Sequence, residues 1–518
     1  MLSDEQLPPE VAAVLRDEGL ETNTPLHRRI FTNRDLNFDD VPVVGFDMDY
    51  TLARYDQAAL EQLSIEVTVR KLVLRGYPEI LEATRGDPQF AICGLVVDRE
   101  LGNILKMDRH GYVGRVYHGR LELSRGERKR IYRAQRIGQK RERFAFVDTG
   151  FSLPEVSLFA RLVELVDTAP ELWTSKGLAV PTYAQAWNDV RLAMDESHQD
   201  DSLKSIIQAE PARFFRKDPD LGATLHKLRS AGKKLFLLTN SFYKYSNVVM
   251  SYLLDSEIAA YEDWTVYFDW IIVGARKPSF FTDEKPFQEL DRQGNRIGRP
   301  KETPQRGKIY EGGSRAGLQN ALGVEPDEVL YVGDHIYGDV VQSKKSSGWR
   351  TVLIVEDLEH DLVVRQDFDA AIQEIQTLSG LRDQLTQEIA VQRQVQRALS
   401  RVDSRDIALA QSWDEHDDRA KVLVEQATTN SRKRFERLRS HEAETYELLQ
   451  KRSHEVDSAF NPYWGSIFAE RQDSSMYGAQ LEAYACLYTS RVSNFLYVSP
   501  SHFFHAPHGS MPHWQRMR

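Results

Sequence analysis

Only two cysteines, Cys93 and Cys486, stand in the 518 residues, far apart along the chain. So few thiols exclude a disulfide scaffold and fit a reducing compartment. Long apolar runs are missing as well, and none approaches the ~20 residues that a membrane span needs. Nor is there an excess of positive charge. The 67 Lys and Arg against 77 Asp and Glu leave a net charge of −10, which argues against nucleic acid or an anionic membrane as partner. Met1 to Arg16 mixes acidic with apolar residues and lacks the layout of a signal peptide. These absences predict a cytoplasmic protein whose anionic substrate, if it has one, meets a local basic pocket or a bound metal.

What is present is ordinary globular material, enough for several domains or one elaborated core. Residues 1–40 read as a polar lead-in with one short helix from Glu10 to Arg16. Short apolar runs then recur, each ending abruptly in polar residues. Val41 to Phe46 ends in Asp47, and Lys233 to Leu238 ends in Thr239-Asn240-Ser241. Trp270 to Val273 leads to Lys277-Pro278, Val329 to Val332 to Gly333-Asp334, and Thr351 to Val355 is a fifth run. Helix-length patterns separate them, so the expected class is α/β, a Rossmann-like parallel sheet. Ligands of such sheets bind at the carboxyl ends of the strands, where these polar residues fall.

The long stretch between the first two strand ends predicts an inserted cap. Its first part offers strands (Leu95 to Asp98, Gly111 to Tyr117), and its later part helices from Leu153 to Val166 and from Tyr183 to Ile207. Residues 370–460 favour helix, with Leu381, Leu385, Val395, Leu399 and Val402 as an interrupted stripe that predicts a helical hairpin. The expected segments are 1–56 (lead-in and first core strand), 57–217 (cap), 218–369 (rest of the core) and 370–518 (helical extension and tail). The His-rich tail, Phe503 to His513, has irregular spacing and reads as packing rather than a metal site.

Four groups carry chemistry. Asp47 and Asp49 are two apart at a strand end, where a turn brings both to one site. One carboxylate can attack phosphorus while the other moves protons at the leaving group. Thr239, Asn240 and Ser241 offer hydroxyls and N–H groups to phosphoryl oxygens. Lys277 would neutralise charge there. Asp334 and Asp339 add hard oxygen ligands of the kind Mg2+ takes, with Asp47 and Asp334 direct and Asp339 behind them. Taken singly, each group also reads as a turn, a cap or a solvated side chain.

In this order the four groups resemble the haloacid dehalogenase superfamily of phosphatases. The resemblance implies that Asp47 is the nucleophile and Asp49 the general acid/base. It also implies that the Asp49 carbonyl completes the Mg2+ site and that Thr239 and Lys277 bind phosphate. Tyr50 departs from the glycine common after the second Asp. Gly45 to Leu52, Thr239 to Tyr245, Ala275 to Pro278 and Gly333 to Asp339 look like the cytosolic purine 5′-nucleotidases, which prefer IMP and GMP. Gly76 to Pro78, Ser343 to Lys345, Gly348 to Arg350 and Met511 to His513 extend the likeness over roughly residues 28–515.

Arg191, Asp195 and His198 lie at i, i+4 and i+7 of a helix and share a face. On their own such residues are most often solvated. The matching helix of the purine nucleotidases carries the same residue types and contributes to base recognition. By the same resemblance Phe151 stacks on the base and Lys204 lies near the substrate phosphate. Asp148 and Gly138 depart from effector-regulated members, which argues against activation by purine nucleotides, although Tyr337 and Lys345 remain compatible with it. The expected activity is Mg2+-dependent hydrolysis of purine nucleoside 5′-monophosphates, with phosphoryl transfer to a nucleoside as a further outlet, by a homo-oligomer. The competing readings are a phosphatase for another phosphomonoester and a non-catalytic scaffold of the same fold.

Overall fold

Val43-Val-Gly-Phe46 is apolar throughout, and it forms a strand buried on both faces at the centre of a nine-stranded sheet. The computed structural model describes residues 24–133, 137, 142–336, 339, 348–409, 416–471 and 473–507. The expected helix at Glu10 to Arg16, Gly138, Tyr337, Gly338, Ser343 to Lys345 and Met511 to His513 lie outside the described residues.

The sheet strands are β1 (Phe31–Thr32), β2 (Val43–Phe46), β3 (Lys234–Leu238), β4 (Trp270–Val273), β5 (Phe287–Leu290), β6 (Lys308–Gly312), β7 (Val329–Gly333), β8 (Arg350–Ile354) and β9 (Leu487–Thr489). Their order is β1-β9-β8-β7-β2-β3-β4-β6-β5. From β9 to β6 all pairs are parallel, and the two edge strands, β1 and β5, run antiparallel. β2 is flanked by β3 on one side and β7 on the other, which makes its carboxyl end the place where strand order reverses and a crevice opens. Gly45 is what lets β3 pack so close. A Cβ there would fall 2.0 Å from the Phe236 ring, one residue across in register.

The inserted segment leaves and rejoins the core through one short ribbon, in which Arg54–Tyr55 pairs antiparallel with Phe215–Arg216. It holds an antiparallel sheet of Leu121–Glu122, Val113–His118, Asn103–Met107, Val96–Asp98 and Phe144–Phe146, in that order. Beside it pack three helices, α1 (Gln57–Leu74), α2 (Leu153–Thr168) and α3 (Tyr183–Gln199). The expected helix from Tyr183 to Ile207 is two. α3 stops because Asp201 takes a left-handed φ of 61° and the Asp200 side chain accepts from the Ser202 N–H (3.0 Å), and a new helix starts at Lys204.

The described chain divides into two compact units, one of residues up to Glu359 and from Ile467 onward, the other His360–Ser466. The second is a helical hairpin of α4 (Asp369–Leu409) and α5 (His416–Phe460), antiparallel through Arg382–Glu442 and Arg434–Glu388. Its seam differs from the expected stripe. Ile389 and Gln392 are buried, Leu385 and Leu399 half-buried, while Leu381 and Val395 stay exposed; the Val402 side chain is outside the described residues. The expected extension 370–518 is also not one body. Residues 467–507 belong to the first unit, because the apolar Leu487–Thr489 pairs with β8. Phe503–Phe504 pairs with Leu36–Asn37, and the Phe504 ring packs against Phe38. No helix among the described residues is long and apolar enough to cross a membrane.

Candidate active site

The chain leaves β2 at Asp47, whose N–H donates to Val332 O of β7 (2.9 Å). It then turns sharply: the N–H groups of Leu52 and Ala53 both donate to Met48 O (3.0 and 2.9 Å). Tyr50 takes φ 55° in this turn, a conformation that costs a side-chain-bearing residue about 1 kcal/mol. The turn brings Asp49 back beside Asp47, as the spacing requires. Both Asp49 oxygens are engaged. Tyr55 Oη donates to one (2.6 Å) and Ser241 Oγ to the other (2.8 Å), and the Tyr55 and Tyr245 hydroxyls share a hydrogen bond of 2.8 Å.

From β3, Thr239 is fully buried and its Oγ1 accepts the Ser241 N–H (3.1 Å). The Asn240 side chain binds backbone rather than facing Asp47. Its Nδ2 donates to Lys277 O (3.1 Å) and its Oδ1 accepts the Lys277 N–H (2.5 Å), which pins the loop after β4. The buried Lys277 Nζ consequently lies 2.9 Å from Asp47 Oδ2, 2.7 Å from Asp339 Oδ1 and 2.9 Å from Tyr331 Oη. Asp334, at the end of β7, sits with one oxygen 3.5 Å from Thr51 Oγ1.

Oxygens of Asp47, Asp334 and Asp339 all lie within 4.8 Å of one another. Three carboxylates around one ammonium leave an excess of negative charge in a buried place. Burial, with Asp339 and Asp49 beside it and Lys277 opposing, pushes Asp47 up to about 7. Burial, then Asp339 and Asp47, lift Asp334 well above the carboxylate range. Burial would lower Lys277, but Asp339 and Asp47 hold it well above its ordinary value. A divalent cation offsets this excess, and an all-oxygen donor set suits Mg2+. The residues present fit the ion.

A wall of rings joins this centre to α3. Phe151 meets Tyr50 (4.9 Å between centroids), Tyr55 (5.7 Å) and His198 (5.7 Å), each edge to face. Gly150 permits this, since a Cβ there would lie 2.5 Å from the Tyr50 ring. Lys204 Nζ stands 5.4 Å above the Tyr245 ring. Burial, then Lys204, lower His198 to about 4, so its imidazole is neutral at pH 7. Arg191 and Asp195 are exposed on the same face, and Arg191 Nε lies 3.7 Å from a carboxylate oxygen of the buried Glu155 on α2.

The profile of the 5′ nucleotidase family matches residues 30–516. The chain belongs to the 5′ nucleotidase family. A 5′-nucleotidase domain-containing protein of Dictyostelium discoideum is 29% identical over 485 residues, 90% of this chain and 71% of that protein. Human 5′-nucleotidase domain-containing protein 2 is 30% identical over 410 residues, 75% and 73% of the two chains. Among solved structures, a predicted phosphoglycolate phosphatase from Haemophilus somnus is 12% identical, covering 61% of this chain and 86% of that one, at a TM-score of 0.26. That last likeness is too slight to bear on the chemistry. As a member of the family the protein is a phosphomonoester hydrolase, a 5′-nucleotidase.

Reading along this nucleotidase's sequence misses four residues of the site: Tyr55, Tyr245, Tyr331 and Glu155. Tyr245 closes the motif Thr239 to Tyr245 and was available there. Tyr55 faces the site because the turn after β2 returns its hydroxyl to Asp49, and Tyr331 because β7 lies in the same sheet as β3, whose Leu238 O accepts from it (3.1 Å). Glu155 had no signal, since its partner Arg191 comes from another helix. Burial, opposed by Arg191 and reinforced by Asp195 and Asp148, raises Glu155 to about 7. Its folded value exceeds its unfolded one, so it contributes stability below pH ~4.5 that is lost as pH rises towards 7. Glu155→Gln is therefore expected to gain on the wild type by roughly 2–3 kcal/mol between pH 5 and 8. Urea unfolding at both pH values measures this, and an unchanged difference would mean that the carboxyl is ionised throughout.

Proposed function

We propose that this 5′-nucleotidase hydrolyses purine nucleoside 5′-monophosphates with a 6-oxo base, IMP and GMP, through an aspartyl-phosphate. The observation that carries the chemistry is Asp47 held against Lys277 at 2.9 Å with Asp49 gripped by Tyr55 and Ser241. Asp47 attacks phosphorus with one carboxylate oxygen as the P–O5′ bond breaks, and Asp49, protonated at that moment, gives its proton to O5′. In the second step Asp49 takes a proton from water, the water oxygen attacks phosphorus, and the bond to Asp47 breaks to release phosphate. A nucleoside hydroxyl in place of that water makes the same step a phosphoryl transfer. Thr239, Ser241 and Lys277 stabilise the charge on the transferring group, and Lys204 adds a cation on the cap side. Mg2+ would be held by Asp47, Asp334 and the Asp49 carbonyl, with Asp339 steadying Lys277 behind them, and it supplies positive charge next to the phosphoryl oxygens.

The base side follows from hydrogen-bond sense. Arg191 donates to the O6 and N7 acceptors of a 6-oxopurine. Asp195 accepts from the N1–H that IMP and GMP carry, while His198 and Phe151 border the ring. AMP presents an amino group in place of O6 and an acceptor at N1, so both contacts fail. Activity in the cytoplasm as a homo-oligomer belongs to the same reading.

Phosphate release from a panel of nucleotides and sugar phosphates tests it. IMP and GMP should lead, EDTA should abolish turnover and Mg2+ should restore it. A sugar phosphate at the head of the panel, or full turnover in metal-free buffer, would sink the reading. Within the panel, Asp195→Asn should reduce the IMP over AMP ratio of kcat/KM by about tenfold, chiefly through lost IMP turnover, because an amide also donates to the unprotonated N1 of AMP. An unchanged ratio would leave Asp195 as a solvated surface charge.

A further inference from the structure

Charge of the opposite sign collects at the other edge of the core sheet. Parallel strands place their amino ends together. Lys233 and Lys234 enter β3, Asp269 stands just before β4, and Arg306 just before β6. With Arg229 and Tyr261 they line a bowl of about 470 Å³. The length of β3 separates it from Thr239, about 16 Å at 3.3 Å per residue.

The bowl is lined by four basic side chains and one carboxylate, with Asp39 and Asp40 near Lys233, in a chain whose total charge is −10. Asp269 is shared: Oδ1 accepts from Arg306 Nε (2.7 Å), and Oδ2 accepts the Leu235 N–H (2.9 Å) and lies 3.5 Å from Arg229. Arg229 also donates to Tyr267 O (3.0 Å). Lys233 is buried, donates to the carbonyl oxygens of Phe38 and Val41 and lies 4.1 Å above the Phe38 ring. Burial, opposed by Asp39 and Asp40, lowers it to about 8, so it closes the wall more than it adds charge to the bowl. Lys234 has no hydrogen-bond or ion-pair partner for its ammonium among the described residues. The Tyr261 hydroxyl is tied to His226 (2.9 Å) and steadies one wall.

Cations gathered in a concavity repel one another unless an anion joins them, and guanidinium forks match phosphate oxygens. Arg229, Lys234 and Arg306 outnumber Asp269, the one carboxylate that lines the bowl with them. We propose that the bowl binds a chain of linked phosphates, as in an inorganic polyphosphate or the tail of a nucleoside triphosphate, separately from the hydrolytic site.

Calorimetric titration with inorganic tripolyphosphate tests this. In metal-free, low-salt buffer the carboxylates around Asp47 disfavour an anion, so binding there is suppressed. The wild type should bind one equivalent, and Lys234→Glu with Arg306→Glu should bind at least tenfold more weakly while hydrolysing substrate at the wild-type rate. If that double variant melts early, Lys234→Ala decides, with a loss of threefold or more expected. Absence of saturable binding, or binding that these substitutions leave unchanged, overturns the proposal. A non-hydrolysable nucleoside triphosphate in the second arm separates the sources. Affinity equal to tripolyphosphate assigns the phosphate chain alone, and tighter affinity adds the nucleoside.

Discussion

Asp47→Asn is expected to yield a folded protein that still binds nucleotide and turns it over at least ~10³-fold more slowly, about 4 kcal/mol of barrier. The substitution is nearly isosteric, so the Asp47 N–H bond to Val332 O and the turn through Met48 O survive. What goes is the nucleophile, since an amide oxygen neither attacks phosphorus usefully nor carries the charge that Lys277 meets at 2.9 Å. Relief of crowding among three carboxylates should leave stability equal or higher. Single-turnover assays on pure protein, with nucleotide binding measured in parallel, separate the two effects. Retained turnover would remove Asp47 from its role.

Lys277→Met should be the costlier change for the molecule as a whole. The ammonium is buried between Asp47 and Asp339 and also touches Tyr331. Turnover is expected to fall by roughly 10²–10³-fold, the scale of losing one preorganised charge at a phosphoryl group. Stability near pH 8 should drop by about 3–5 kcal/mol, because buried carboxylates lose their counter-charge. The sign of the pH dependence follows. Without Lys277, Asp47 rises further above about 7, so Asp47, with the likewise raised Asp334, is protonated and uncharged in mild acid and the stability deficit shrinks towards pH 5.5. Urea unfolding at the two pH values, together with kcat, tests this. Equal deficits at both would place the loss in packing and not in charge.

Much of this site could be read from the chain. Asp47, Thr239, Lys277 and Asp334 each follow an apolar run, and all four fall at the carboxyl ends of β2, β3, β4 and β7. Such signals are local: a few apolar residues build the strand, and the first polar residues after it must lie at its end. The pair Asp47 and Asp49 depended only on a tight turn, which Met48 O organises within six residues. The helical face of Arg191, Asp195 and His198 was likewise set by the period of one helix.

Tertiary structure alone decided the partners. Tyr55 and Ser241 share Asp49 although 186 positions separate them, and Glu155 meets Arg191 only because α2 packs on α3. The Asn240 amide turned to the Lys277 backbone once β3 and β4 lay side by side. Leu487–Thr489 joined the core after a helical hairpin of more than ninety residues, and the basic bowl exists because three strand starts share an edge. The physical reason is the same in each case. Periodicity and strand ends are properties of neighbouring residues, whereas closing a long loop costs nearly the same entropy for many alternative pairings. Only burial and hydrogen bonding across the finished sheet select one of them.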